Sequence, residues 1–503
     1  MAGHAKVARW RYAEYGFTGA LRCPWDSSRM NNARAVNSRA GVFGIGLAAY
    51  WPQFAGLKER LQSYQRQVER RIAGFSAEVI SAGLVDSAPL AREAGALFAR
   101  AGLDLLICYV GTYATSSQVL PVVQQAHVPV LVLNLQPVPA LDYEHTDTGE
   151  WLANCSTCAV PEISNAFTRA RIDFHVVSGV LAGDEEVWNE IREWCEAAGV
   201  ARAIAAARIG FLGHTYPGML DLYSDFTAVH AQLGGHVEVL EMDVLAKLVN
   251  AATATEVRAK VEEARGVFDL ADNVCEEDLE WPARVAAGLD HLVAEFDLDG
   301  LAYYYRGLDG NEFERLGAGL ILGNSLLTAR GIPASGEGDL KTCLAMMMMD
   351  RFGAGGSYTE FYAMDLNEGF VLMGHDGPGH LAISDGRPLL RRLDQYHGKR
   401  GYGISVEFKV KSGPVTIAGL TQDANGQLRM QGAEGDSLPG PTLRIGNTNS
   451  RLRFHLPPAR FVDQWCQLGP THHCALGIGH QLAAFRKLSQ LLRLPLATVG
   501  DRL

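Results

Sequence analysis

The chain has 503 residues, 48% of them hydrophobic and 20% charged, with a formal net charge of −11. This is the balance of a globular protein too long for one hydrophobic core, and its acidity excludes the basic face that binding nucleic acid requires. No apolar run reaches the roughly 18 residues of a membrane span, and the opening MAGHAKVARWRYAEYGF lacks the apolar middle of a secretory signal. The expectation is therefore a cytoplasmic protein with neither nucleic acid nor membrane as a partner.

Residues 1–40 mix Arg, Asn, Ser and Trp without a sustained period and read as an N-terminal extension. From residue 41 the pattern alternates. Strands are predicted over 41–47, 77–80, 105–110, 128–135 and 174–177, and helices over 57–75, 88–101 and 119–125. Continuous apolar strands separated by helices imply a parallel sheet covered on both faces, with ligands at the carboxyl ends of its strands. This first α/β domain is assigned to 41–181. A second doubly wound α/β domain, 182–355, opens with a helix over 184–199 and a strand over 208–213. It continues through helices over 253–264 and near 282–295 to a strand over 300–304. In the third part, 356–503, segments such as 404–410 alternate apolar and polar. Further short strands follow over 414–420, 427–430 and 442–444, so a mainly antiparallel β domain is expected there, carrying part of a metal site. The fold class is thus α/β, with two parallel-sheet domains followed by a β-rich C-terminal domain.

Nine cysteines, odd in number and irregularly spaced, do not form a disulfide framework. Cys155 and Cys158 make a lone C-x-x-C, without the second pair that a zinc site needs. The run Met346, Met347, Met348, Met349 reads as core filling.

Chemistry gathers in the last third. In SGEGDLKT, residues 335–342, Asp339 stands where a helix cap belongs, whereas Glu337 lies between two glycines free to bring backbone close to a ligand. Glu360 follows glycines in GGSYTEF, His375 sits in LMGHDG, and His472 and His473 stand in GPTHHC. Two carboxylates and two imidazoles suit a borderline-hard divalent ion such as Mn²⁺, with open positions for water or substrate oxygens; four-ligand zinc would leave no room for substrate.

These segments resemble the L-arabinose isomerase and L-fucose isomerase superfamily. GEGDLKT is similar to the arabinose isomerase EGDWKT segment, SYTEFYAMD to its second metal-carboxylate segment, and VLMGHDG to its GSHM histidine segment. THHCALGIGH, 471–480, together with 491–495, is similar to the fucose isomerase terminus that carries a ligand His. Upstream, 105–110 and 169–177 look like the family's first domain, so the likeness spans 41–503. The resemblance implies that Glu337, Glu360, His375 and His473 ligate a divalent metal, Mn²⁺ with Mg²⁺ or Co²⁺ as alternatives. His473 is preferred to His472 because the family pattern has one His just before a small residue and an apolar run. It also implies an aldose–ketose isomerisation of a small-molecule sugar through a cis-enediol, with Glu337 and Glu360 as acid and base. A homo-oligomer, trimer or hexamer, whose first domain covers a neighbour's metal site, is implied as well. The family's sugar-contact segments are replaced here by LAAYW, 47–51, and STCAVPE, 156–162, so the substrate-binding residues stay unassigned and the sugar is placed only among pentoses and deoxyhexoses. A metal-dependent glycoside hydrolase on the same scaffold and a non-catalytic sugar-binding protein remain as alternatives.

Overall fold

Runs of apolar residues without polar alternation build two parallel sheets. The first joins β1 (Arg39–Ile45), β2 (Glu78–Val85), β3 (Leu105–Val110), β4 (Val130–Gln136) and β5 (Phe174–Val180) in the order β2-β1-β3-β4-β5. Alternate residues of β1 enter opposite cores, Phe43 and Ile45 on one face and Ala40 and Val42 on the other, so both faces are covered by helices. The second sheet contains β6 (Arg208–Gly213) and β7 (His236–Leu240), and, beyond the short β8 (Asp269–Leu270), β9 (Gly300–Tyr304) and β10 (Ala334–Ser335). Its order is β10-β9-β6-β7, again all parallel. The computed structural model describes residues 36, 38–75, 78–306, 311–393 and 403–500; the extension expected over 1–40 lies almost wholly outside them. Among the described residues no helix is long and apolar enough to cross a membrane.

The C-terminal strands are β11 (Gly355–Asp365), β12 (Phe370–His375), β13 (Leu389–Leu393), β14 (Gly403–Glu407), β15 (Gly413–Gln422), β16 (Leu428–Ser437), β17 (Thr448–Phe454), β18 (His473–Ile478) and β19 (Leu496–Thr498). Six of them pair antiparallel around a closed ring, β15-β18-β11-β12-β17-β16 and back to β15, and β19 adds to β16 in parallel. Closure removes the exposed edges an open sheet would leave. β14, β13 and β8 form a separate three-stranded sheet in that order.

The helix Leu340–Arg351 joins these layers. Every one of its residues is buried, and Met346 to Met349 pack with Ala302 of the second sheet and with Ala418, Leu420 and Ala475 of the barrel. A helix apolar all round is expected where it is enclosed on all sides.

Several boundaries differ from the sequence reading for identifiable reasons. No strand forms over 442–444: Pro441 lacks a ladder donor, and the Asn449 side chain takes the Leu443 N–H at 2.8 Å in its place. The helix expected to stop at Gly199 runs on as Glu185–Ala206, because Gly199 marks a close approach rather than an end; a Cβ there would lie 3.0 Å from Val36 Cγ1. The helix near Pro282 begins earlier, at Glu276, where Cys275 and Asp278 cap it reciprocally. β2 extends past Ile80 through a bulge that skips Ala82 and places Gly83 at φ +69°.

Gly374 permits the tightest strand contact next to the site. A Cβ there would stand 1.9 Å from the Thr448 carbonyl oxygen on the paired strand. Gly374→Ala is expected to force β12 from β17 and to lower stability by at least the ~1–3 kcal/mol typical of overpacking. A urea midpoint equal to that of the wild type contradicts this.

Candidate metal centre

The first donor comes from the carboxyl end of the second sheet, where ligands of open parallel sheets belong. Glu337 follows β10 and takes φ +60°, an uncommon conformation for a residue with a Cβ, and Gly338 follows at φ +70°. Main-chain hydrogen bonds pin this turn from both sides: Gly338 N–H donates to the Tyr303 carbonyl at 3.0 Å, and the Glu337 carbonyl accepts from Tyr216 at 2.9 Å. Gly338 has no alternative, since a Cβ would meet the His214 carbonyl at 2.6 Å. Asp339 then caps the helix Leu340–Arg351, its Oδ1 accepting from Thr342 N–H at 2.9 Å.

The other donors come from the barrel through strand register. Glu360 on β11 stands opposite His473 on β18 and opposite Gly374 on β12, whose next residue is His375. His375 Nε2 lies 3.2 Å from His473 Nε2 and 4.0 Å from Glu360 Oε1. His473 Nε2 lies 3.5 Å from Glu337 Oε2. All four residues singled out by sequence therefore converge, although Glu337 and His473 are far apart in the chain. Among the described residues, two groups have metal-ligating atoms within 4.8 Å of one another, Glu337–His472–His473 and Glu360–His375–His473, and they share His473. His472 thus joins the cluster, with Nε2 3.7 Å from Glu337 Oε2.

Each histidine also has a carboxylate at Nδ1. Asp339 Oδ2 is 3.0 Å from that of His473, Asp221 Oδ2 is 2.7 Å from that of His472, and Asp376 Oδ1 is 3.1 Å from that of His375. Carboxylates behind imidazoles hold the proton on Nδ1 and turn the Nε2 lone pair toward a cation, as in carboxylate–histidine–metal arrangements. At His375 the Gly377 N–H donates to Nδ1 at 2.9 Å, so that nitrogen is an acceptor, and ligation of a metal by Nε2 would require this hydrogen bond to give way to an Nδ1–H facing Asp376. Glu337 Oε2 is buried without a hydrogen-bond partner, the state of an acceptor directed at a cation. The donor set fits a divalent ion. Asp339 consequently has two duties, where the sequence reading gave it only the cap. Asp376 adjoins His375 in the chain and could have been suspected from that; Asp221 lies in MLDLYSD and carries no sequence signal.

Charges in the cluster shift one another. Burial raises the Glu337 pKa, but the His472, His473 and His375 rings outweigh it and hold the carboxyl below its usual value. At Glu360 burial outweighs the His375 and His472 rings, and the pKa is raised. Burial takes His473 down to about 4 against its Asp339 hydrogen bond. His472, opposed by burial, is raised to about 9 by Glu337 and Asp221. Cys155 and Cys158 lie apart from this centre, before the helix Ala159–Ala170, with Cys158 Sγ 3.3 Å from the Cys155 carbonyl.

Residues 390–499 match the family described as L-fucose isomerase, C-terminal domain. An L-arabinose isomerase of Shouchella clausii is 22% identical over 374 residues, 73% of this chain and 76% of that one. Another from Clavibacter sepedonicus is 22% identical over 414 residues, covering 79% and 80%. A sulfoquinovose isomerase of Alkalicoccus urumqiensis is 24% identical over 303 residues, 59% of this chain and 66% of that one. The class that these relatives define is that of sugar isomerases. These matches, all at low identity, support a divergent member of the L-arabinose isomerase and L-fucose isomerase superfamily.

The depressed His473 pKa has a consequence for the metal-free protein. The unfolded chain takes up that proton near pH 6.5, the folded chain only near 4, so between these values the unfolded state binds more protons and stability falls as pH falls. Urea midpoints measured across this window are expected to drop more steeply for the wild type than for His473→Gln. Parallel curves contradict it.

Proposed function

We propose that the protein is a metal-dependent aldose–ketose isomerase acting on a pentose or deoxyhexose through a cis-enediol. One observation carries this reading: two carboxylates with opposite pKa shifts, Glu337 and Glu360, each stand within ligating reach of His473, Glu337 beside His472 and Glu360 beside His375. Environments that push two titratable groups apart mark acid and base roles. Glu337, Glu360, His375 and His473 would hold the ion, Mn²⁺ in this reading, with Mg²⁺ and Co²⁺ as alternatives. The bound ion supplies the positive charge that stabilises the enediolate oxygens without a proton transfer.

The remaining chemistry falls to the chain. Glu360, raised in pKa, removes the proton from C2 of the open-chain aldose and returns one to C1. Glu337, held ionised, passes the C2 hydroxyl proton to the C1 oxygen. The sum of these transfers converts aldose into ketose with no other reactant. Its sugar-isomerase relatives favour this reading over hydrolysis or simple sugar binding. The same reading includes a cytoplasmic homo-oligomer, trimer or hexamer, in which the first α/β domain covers a neighbour's centre.

A panel of free aldoses, incubated with Mn²⁺ and assayed for ketose, tests the proposal. Ketose is expected from at least one pentose or deoxyhexose, and release of alcohol from aryl glycosides without any ketose contradicts it. Glu360→Gln is expected to lower turnover by at least the roughly 10²- to 10⁴-fold typical of a general base. Wild-type turnover in that variant removes Glu360 from the mechanism.

A further inference from the structure

Lys341 is an unusual residue to find enclosed. It occupies the first turn of the helix Leu340–Arg351, four residues beyond Glu337, and is 1% exposed. A buried ammonium is costly unless its donors are all used. Here Nζ donates to the Leu222 carbonyl at 3.1 Å, to the Tyr223 carbonyl at 3.1 Å and to Ser224 Oγ at 3.0 Å. All three acceptors belong to the loop after β6.

That loop carries Asp221, which grips the start of β18. Its Oδ2 accepts from the His472 main-chain N–H at 2.9 Å and from the ring Nδ1 at 2.7 Å. The ring's other nitrogen faces Glu337. One helical turn therefore controls both adjacent histidines: Asp339 holds His473 directly, and Lys341 reaches His472 through a loop more than a hundred residues away in sequence.

We propose that Lys341 and Asp221 are positioning residues that fix the His472 ring beside Glu337, with Lys341 acting through the loop that carries Asp221. Neither side chain touches the sugar in this scheme. It rests on the isomerase reading for its kinetic consequence, while the orientation of the ring is measurable without turnover.

The test uses the full-length, Mn²⁺-reconstituted protein with the aldose that the wild type converts fastest. Asp221→Leu removes the acceptor at a side chain 35% exposed, which the fold should tolerate; Lys341→Met keeps the stem and removes the three donors. Each is expected to lower kcat roughly 10- to 100-fold, the usual effect of losing an outer-shell partner, with little change in KM. The double variant should be no slower than the slower single one, because both changes act on one ring.

Histidine-selective ¹⁵N spectra of the Mg²⁺-loaded protein, free of the paramagnetic broadening that Mn²⁺ causes, supply the second readout. The His472 ring signals should move in the same direction in both variants. If the wild type isomerises no aldose, the functional reading fails and these spectra alone decide the positioning role. Should Lys341→Met not fold, Ser224→Ala, which removes one of its three acceptors, is expected to show the same displacement at smaller amplitude. Multiplicative losses of kcat, wild-type turnover in Asp221→Leu, or unmoved His472 signals when the clamp is broken overturn the proposal.

Discussion

The candidate site depends on a backbone turn. Glu337 and Gly338 both lie at positive φ, at the point where the second parallel sheet ends and a fully buried helix begins. A residue with a Cβ is strained there by about 1–2 kcal/mol and stays only because the surroundings over-determine it. Hydrogen bonds to Tyr303 and Tyr216 fix the turn's main chain, and the Asp339 cap fixes its exit. The helix beyond is enclosed between sheet and barrel, so the turn cannot relax without opening the core that Met346 to Met349 fill. Such strain at a carboxylate directed at a polar cluster has a mechanistic use: the Glu337 side chain is presented to the centre before any ligand arrives.

The second constraint is electrostatic. Asp339, Asp376, His375 and His473 are buried, Glu337, Glu360 and His472 are partly so, and a buried charge among them would be unfavourable alone. Pairing reconciles them. Asp339 and Asp221 each accept from one ring Nδ1 and Asp376 lies 3.1 Å from that of His375, while His473 is common to the two groups of donors. The barrel supplies this accuracy through its register, because Glu360 and His473 are cross-strand partners and cannot separate without a slip that would invert every side chain on β11 or β18.

Legibility in the sequence followed the range of the interactions. Both parallel sheets were readable because β3, LLICYV, is an unbroken apolar run flanked by helical periods. Glu337, Glu360, His375 and His473 were readable because each lies in a Gly-bounded segment with a family likeness. Closure of the barrel was not, since the pairing of β15 with β16 that completes the ring leaves no local mark. Nor was Asp221, whose partner His472 lies 251 residues away. The segment over 442–444 misled because its apolar residues suggested a strand, whereas an Asn side chain satisfies its backbone. Gly199 misled because a glycine that allows close packing looks the same in sequence as one that ends a helix.

The central claim is that Glu337, Glu360, His375 and His473 converge to hold one divalent ion. Anomalous scattering from crystals grown with Mn²⁺ tests it most directly. A single manganese peak in bonding contact with both carboxylates and with the Nε2 atoms of His375 and His473 is the expected result. A manganese-saturated crystal with no peak among these four side chains, or with the ion bound elsewhere on the chain, would contradict it.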